Sequence, residues 1–376
     1  MKLDHIHFYV EDATASRDWF VNHMGFQALA SGASRDTLTT VVKSGAVYIV
    51  LSSPLTSASP VAQFLRLHPP GVADIAFVVS DLEAVMERAV AKGAKVLQPV
   101  QQQQLAQGRW KWARIAAWGS LTHTLIERLG NTPLLPVFAE SEITTECFSP
   151  TQQQGATTRG LPLHRTSDSG LFSGIDHVVL NVATGDLERA LSWYEEVLGF
   201  QRQQRFMIET ENSGLRSQVM VHPKSGVQFP INEPTSANSQ IQEFLDVNQG
   251  PGIQHIALQT PQIVKAIAQL RHRGLSFLPI PSTYYTQLRT QHQGLPLSTA
   301  ELEEIAAQEI LVDWHNEASQ ALLLQTFTQP IFEQPTFFFE LIERRQEAQG
   351  FGEGNFRALF EAIEREQLKR GSLGFN

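Results

Sequence analysis

His177, His255 and Glu340 carry donor atoms that a divalent metal ion accepts: two imidazole nitrogens and one carboxylate oxygen. They stand 78 and then 85 residues apart, so only a fold that returns its strands to one place brings them together. Two imidazoles and one carboxylate leave coordination positions open, which suits a non-haem ferrous ion that must also hold substrate and oxygen. Each residue has a plainer reading as well. A histidine on an apolar strand often serves as a hydrogen-bonded structural residue, and a glutamate on an edge strand can simply face water. The metal reading gains weight from where the three stand in an internal repeat.

The segment LDHIHFYVEDATASRDWFVNHMGFQ, starting at Leu3, reads against IDHVVLNVATGDLERALSWYEEVLGFQ, starting at Ile175, with two extra residues in the second copy. Each copy is a strand followed by a helix. In the second copy Leu187, Ala190, Leu191, Tyr194 and Val197 recur at helical spacing and Gly199 supplies the stop. Further on, GVADIAFVVSDLEAVMERAVAKGAKVL from Gly71 matches GIQHIALQTPQIVKAIAQLRHRGLSFL from Gly252, and the closing strand HTLIERLG at 123–130 matches FELIERRQ at 339–346. The chain therefore reads as two homologous halves of strand–helix–strands modules. In this alignment the first half offers His5, Asp74 and Thr124 where the second has His177, His255 and Glu340. One half keeps the donor set and the other has lost it, as expected if one half is catalytic. One imidazole, a displaced carboxylate and a neutral hydroxyl make a poor ferrous site, so one iron per chain is expected.

The boundaries follow from composition. A first domain spans 1–148, a polar, turn-rich linker 149–170, and a second domain 171–376 that ends in a helix over GNFRALFEAIEREQLKRG, 354–371. Phe356, Leu359, Phe360 and Ile363 give that helix one apolar face, which is expected to pack on the second half as a lid. The 376 residues suffice for two cored domains. A net charge of −9 without a concentrated basic face argues against nucleic acid as a partner. No run of about 18 apolar residues is present to span a membrane, the N-terminus lacks the apolar run of a signal peptide, and the single Cys147 fits a reducing compartment, so a cytoplasmic protein is expected.

Alternation along the strands populates a pocket around the candidate ligands. Phe338 shares a strand face with Glu340, while Phe337 and Phe339 point the other way into a core; Gln325 and Phe327 likewise share a face. A polar metal end with aromatic walls suits a flat aromatic substrate that bears an oxyanion.

Together FFFELIERRQ, GFGEGNFRALFEAIEREQLKRG, GIDHVVLNV, GPGIQHIAL, LPIPSTYY and LLLQTFTQP resemble the successive signatures of the 4-hydroxyphenylpyruvate dioxygenase family. The resemblance is dense from about Gly174 to Gly371 and persists in the first half as the module pattern alone. It implies an α+β fold of the vicinal-oxygen-chelate (glyoxalase-like) type, two homologous halves of paired βαβββ modules, each an open β-barrel. It also implies Fe(II) held by His177, His255 and Glu340, a 2-oxo acid substrate and O2 as small-molecule partners, and a homodimer or homotetramer. The implied reaction turns 4-hydroxyphenylpyruvate and O2 into homogentisate and CO2. By the same resemblance Ser217, Asn232, Gln240, Gln254 and Gln325 match the family's polar pocket residues, and Phe327, Phe338, Phe351, Asn355 and Phe356 its aromatic wall and C-terminal gate. Alternation points Gln254 away from the face of His255, so an indirect role is expected for it. Two departures stand out: LRSQVMVHP and VQFPINEP follow the family loosely, and LVDWHNEASQALLLQ replaces its short acidic and glycine turn. The readings that remain beside this one are 4-hydroxymandelate synthase, with the same iron and substrate, another dioxygenase of the fold, and a metal-free binding protein.

Overall fold

A computed structural model describes residues 1–105, 108–130, 132, 134, 170–209, 214–291, 295–314, 320–352, 354, 355, 362–365 and 367. Cys147, almost all of the expected linker, Phe356 and most of the expected C-terminal helix lie outside these residues. The first half runs β1 (Lys2–Tyr9), α1 (Ala13–Asn22), β2 (Gln27–Ala33), β3 (Thr37–Ser44), β4 (Val47–Pro54), α2 (Pro60–Leu65), β5 (Gly71–Val78), α3 (Leu82–Ala91), β6 (Val96–Leu105), β7 (Gly108–Ala116) and β8 (Thr122–Gly130). The second half repeats it: β9 (Gly174–Asn181), α4 (Leu187–Trp193), β10 (Gln201–Glu209), β11 (Gly214–Val221), β12 (Gln228–Pro234), α5 (Gln240–Asn248), β13 (Gly252–Gln259) and α6 (Ile263–His272). Two helices absent from the first half, α7 (Ser282–Gln291) and α8 (Thr299–Ala307), then precede β14 (Leu311–Asp313), β15 (Leu322–Phe327) and β16 (Phe338–Arg345).

Each half forms one eight-stranded sheet, in the orders β2-β3-β4-β1-β5-β8-β7-β6 and β10-β11-β12-β9-β13-β16-β15-β14. The two orders are the same under the repeat, so the paired βαβββ reading holds, with the two extra helices inserted into the last module. Within each half the module-opening strands, β1 with β5 and β9 with β13, pair antiparallel at the middle of the sheet. The three strands that carry the candidate ligands, β9, β13 and β16, are therefore neighbours.

Local signals explain the elements. Asp12, Asp81, Ser59 and Ser239 cap their helices by accepting backbone N–H groups. A π-helical turn over Tyr194–Leu198 extends α4 and ends at Gly199, whose φ of 76° favours glycine and where a Cβ would lie 2.8 Å from the Arg88 guanidinium.

One apolar core runs through both halves. Phe337 and Phe339 are buried in it, meeting Phe8 at 4.9 Å and Phe20 at 5.9 Å between ring centres, so the core they enter is shared with the first half. A polar contact crosses the same boundary. His123 is fully buried and lies 3.1 Å from the Ile75 carbonyl through Nδ1 and 3.1 Å from the Tyr194 hydroxyl through Nε2. A carbonyl only accepts, so Nδ1 carries the proton and Nε2 accepts from Tyr194. Burial outweighs the pull of Asp74 and the Ile75 carbonyl and lowers His123 to about 4. The unfolded chain thus takes up a proton at His123 that the folded chain refuses, and stability falls as pH drops from about 6.5 to 4. Urea titrations of wild type and His123→Gln across that range should show wild type losing up to about 3 kcal/mol more than the variant. Parallel curves would mean that His123 titrates in the folded protein as it does in the unfolded one.

Candidate metal centre

The Nε2 atoms of His177 and His255 lie 3.2 and 3.6 Å from the same oxygen, Oε2 of Glu340. The three ligand atoms fall within 4.8 Å of one another, in a place where His177 and Glu340 are each 3% exposed. The sheet register explains the convergence. His177 pairs with Ala257 on β13, and Ala257 pairs with Glu340 on β16, so the row reads His177, Ala257, Glu340 across three strands. Paired residues project to the same face. Strands two apart are separated by about 9.6 Å, a gap the imidazole and the carboxylate close over the methyl of Ala257. Ala257 packs with Leu323, Ile342 and Ala348 in a small buried apolar cluster.

Glu340 Oε1 and His255 Nδ1 are buried with no hydrogen-bond partner. Native proteins seldom leave such atoms orphaned without a ligand, ion or water. The other acidic group with ligand spacing among the described residues, Asp81, Glu83 and Glu127, already holds the Lys111 ammonium.

The first half shows what replaces the donor set. Asp74 accepts from the Thr122 hydroxyl at 2.5 Å, and Arg114 reaches Thr124 Oγ1 at 3.3 Å with its Nε 3.9 Å from Asp74. A guanidinium thus lies against the equivalents of His255 and Glu340, bringing its own positive charge.

A cavity opens above the second-half triad. Of the residues singled out in the sequence, Ser217, Asn232, Gln240, Gln254, Gln325, Phe327, Phe338 and Phe351 line it beside the triad. Phe338 stacks on His255 at 4.8 Å and 18°, and Phe351 meets His177 edge-on at 5.2 Å. Asn355 is buried but absent from the lining; its Oδ1 accepts from the Tyr284 hydroxyl at 2.9 Å. Gln254 departs from the expectation of an indirect role. A bulge between Ile253 and His255 breaks the alternation of β13, and Gln254 joins its neighbour at the cavity wall.

Val179, Phe206 and Ile208, not singled out in the sequence, also line the cavity, as does Ile363 from the expected apolar face of the C-terminal helix. Val179 stands two residues from His177, a period-two signal, whereas Phe206 and Ile208 belong to the continuous apolar run Phe206-Met207-Ile208, in which only the exposure of Met207 shows which face is turned inward. Phe206, Ser217, Asn232 and Asn181 pair in one row across β10, β11, β12 and β9, and Asn181 holds the Asn232 amide at 3.3 Å.

Comparison with known proteins fits this geometry. Residues 174–298 match a model of the Glyoxalase/Bleomycin resistance protein/Dioxygenase superfamily, and residues 4–111 match a second model of the same superfamily. The 4-hydroxyphenylpyruvate dioxygenase of Coccidioides posadasii is 37% identical over 98% of this chain and 94% of its own length. That of Dictyostelium discoideum is 37% identical over 99% of both. The chain belongs to the 4-hydroxyphenylpyruvate dioxygenase family. Among solved structures, a variant of 4-hydroxymandelate synthase from Streptomyces coelicolor superimposes with a TM-score of 0.79 at 26% identity, covering 97% of this chain and 98% of the synthase.

In this family member the electrostatics of the triad are set by burial and by two carboxylates. Burial opposes a charge on His177, but Glu340 at one ring nitrogen and Asp176 at the other outweigh it and push the imidazole up to about 9. Burial, and then the charge on His177, hold His255 well below the ordinary range. A neutral His255 offers its lone pair, whereas a metal ion must displace a proton from His177.

The narrow step at Ala257 yields a test. Ala257→Leu should wedge His177 from Glu340 and lower Fe(II) or Co(II) affinity by at least about 10-fold, while costing about 1–3 kcal/mol of stability from overpacking. Calorimetric metal titration and urea unfolding measure both; wild-type affinity in a folded variant would show that the row does not need a small residue there.

Proposed function

We propose that His177, His255 and Glu340 hold a single ferrous ion per chain, and that the cavity above them binds 4-hydroxyphenylpyruvate for conversion with O2 to homogentisate and CO2. The observation that carries the reading is the convergence of the two Nε2 atoms on Glu340 Oε2 in a cavity that Phe327, Phe338 and Phe351 help to wall. Membership of the dioxygenase family supports it. Fe(II), when bound, supplies the redox chemistry that lets ground-state O2 react; three protein donors leave positions open for substrate and oxygen.

The rest is the work of the chain. Phe338, stacked on His255, fixes that imidazole and with Phe327 forms a wall against which an aromatic ring lies flat. Gln240 Oε1 and Gln325 Oε1 are buried acceptors without partners, suited to accept a hydrogen bond from a phenolic hydroxyl. Gly352 (φ 78°) lets the backbone after Phe351 press against Gln325; a Cβ there would lie 2.1 Å from its Oε1. Phe351, edge-on to His177, helps exclude water from the reacting end. The reaction balances without an external reductant, because oxidative loss of CO2 from the 2-oxo acid supplies two of the four electrons that O2 takes up and hydroxylation of the ring supplies the other two.

Purified protein given Fe(II), 4-hydroxyphenylpyruvate and O2 should consume oxygen and yield homogentisate on chromatography. Accumulation of 4-hydroxymandelate instead would assign the chain to the synthase activity of its structural neighbour. Glu340→Gln keeps the shape and removes the charge, so iron affinity and turnover should fall more than about 100-fold; wild-type turnover with stoichiometric iron would remove Glu340 from the site. Metal analysis tests the first half: His5→Ala should leave one iron per chain and His255→Ala none, and a second tightly held iron would contradict the reading of Arg114 as the resident charge.

A further inference from the structure

Arg344 takes no part in the chemistry above and Asp176 enters it only through the charge it sets beside His177, yet the pair joins the two parts of the site. His177 Nδ1 donates to Asp176 Oδ1 at 2.9 Å. Neighbours on a regular strand face opposite ways; a register shift between Ala257 and Leu258 leaves Asp176 opposite no residue of β13, and the alternation is interrupted there. Arg344, on the same face of β16 as Glu340, closes on that carboxylate with a fork: Nε to Oδ2 at 2.7 Å and Nη2 to Oδ1 at 2.8 Å. Its Nη1 turns the other way and donates to the carbonyls of Ala348 and Gly350 at 3.0 and 2.9 Å. Those carbonyls belong to a bent segment in which Gln346 and Glu347, neither a glycine, have φ of 51° and 56°. Two successive left-handed residues that carry a Cβ are strained, so the segment needs an anchor. Immediately beyond it stand Phe351 against His177 and Gly352 against Gln325.

We propose that Arg344 is a positioning residue that ties the orientation of His177, through Asp176, to the 346–352 segment, so that the metal site and the wall supplied by Phe351 form as one unit. The proposal rests on His177 being a metal ligand. The first half supplies an internal control. There Asp4 and Arg128 repeat the arrangement around His5, with His5 Nδ1 2.7 Å from Asp4 and Arg128 donating to both Asp4 oxygens and to the Leu134 carbonyl at 2.9 Å. The same scaffold therefore exists once beside a complete donor set and once beside a broken one.

Co(II) binding followed by visible absorption, with amide exchange of residues 348–352 in metal-free and Co(II)-loaded protein, tests the proposal on full-length chains. R344Q should weaken Co(II) binding by about 10- to 100-fold, as loss of a group that orients a ligand does. It should also alter the cobalt absorption and abolish the slowing of 348–352 exchange that Co(II) produces in wild type. R344K keeps the charge without the fork and should fall between the two; it decides the matter should R344Q fail to fold. R128Q should lower the melting temperature and leave Co(II) affinity within about twofold of wild type. Wild-type affinity and spectrum in folded R344Q or R344K, or an equal loss in R128Q, would overturn the proposal. H177A, measured alongside, separates the two levels: if H177A binds Co(II) like wild type the ligand assignment itself has failed, whereas loss in H177A with no change in R344Q defeats the positioning role alone.

Discussion

Glu340 places a carboxylate inside the protein at 3% exposure with one oxygen unpartnered, and the arrangement around it follows from the need to compensate that charge. An ionised carboxylate taken out of water costs several kcal/mol unless a positive charge and good hydrogen bonds attend it. Two imidazoles on the neighbouring strands reach the same oxygen, and in the absence of a metal His177 carries the compensating proton. A divalent cation would serve better, because all three donors then face one positive centre. The sheet order makes this possible by setting β9, β13 and β16 side by side, and Ala257 makes it close.

The duplicated half shows how the same frame settles without the donor set. Both sheets have one strand order, both carry Asp-His on the opening strand, and both clamp that aspartate with an arginine from the closing strand. The difference is confined to the side chains at the centre. In the first half Arg114 meets Asp74 and Thr124, and the charge balance is internal. Two different side chains at the ligand positions go with the same scaffold, consistent with strand pairing and the apolar core, rather than the site, fixing the fold.

Much of this was legible in the sequence because it rests on period two and on repetition. The opposite facings of Phe338 and of Phe337 with Phe339, the shared face of Gln325 and Phe327, and the stop at Gly199 follow from strand and helix geometry alone. The repeat paired His177 with His5 before any coordinates, and the same alignment held Asp4 with Asp176 and Arg128 with Arg344, although their ion pairs became visible only in three dimensions. What failed to read through was whatever broke the period. The bulge at Ile253–His255 turned Gln254 into the cavity, and no local residue announces it. The helices α7 and α8 have no counterpart in the first half for the repeat to predict, and Asn355 reaches Tyr284 on one of them, a contact between residues 71 apart.

We propose one ferrous ion per chain, held among His177, His255 and Glu340. Anomalous diffraction at the iron edge from crystals grown anaerobically with Fe(II) tests it most directly. The account predicts one strong peak per chain, bonded to Nε2 of His177, Nε2 of His255 and a carboxylate oxygen of Glu340. A peak beside His5 and Asp74, or none at Glu340 in iron-loaded crystals, would contradict it.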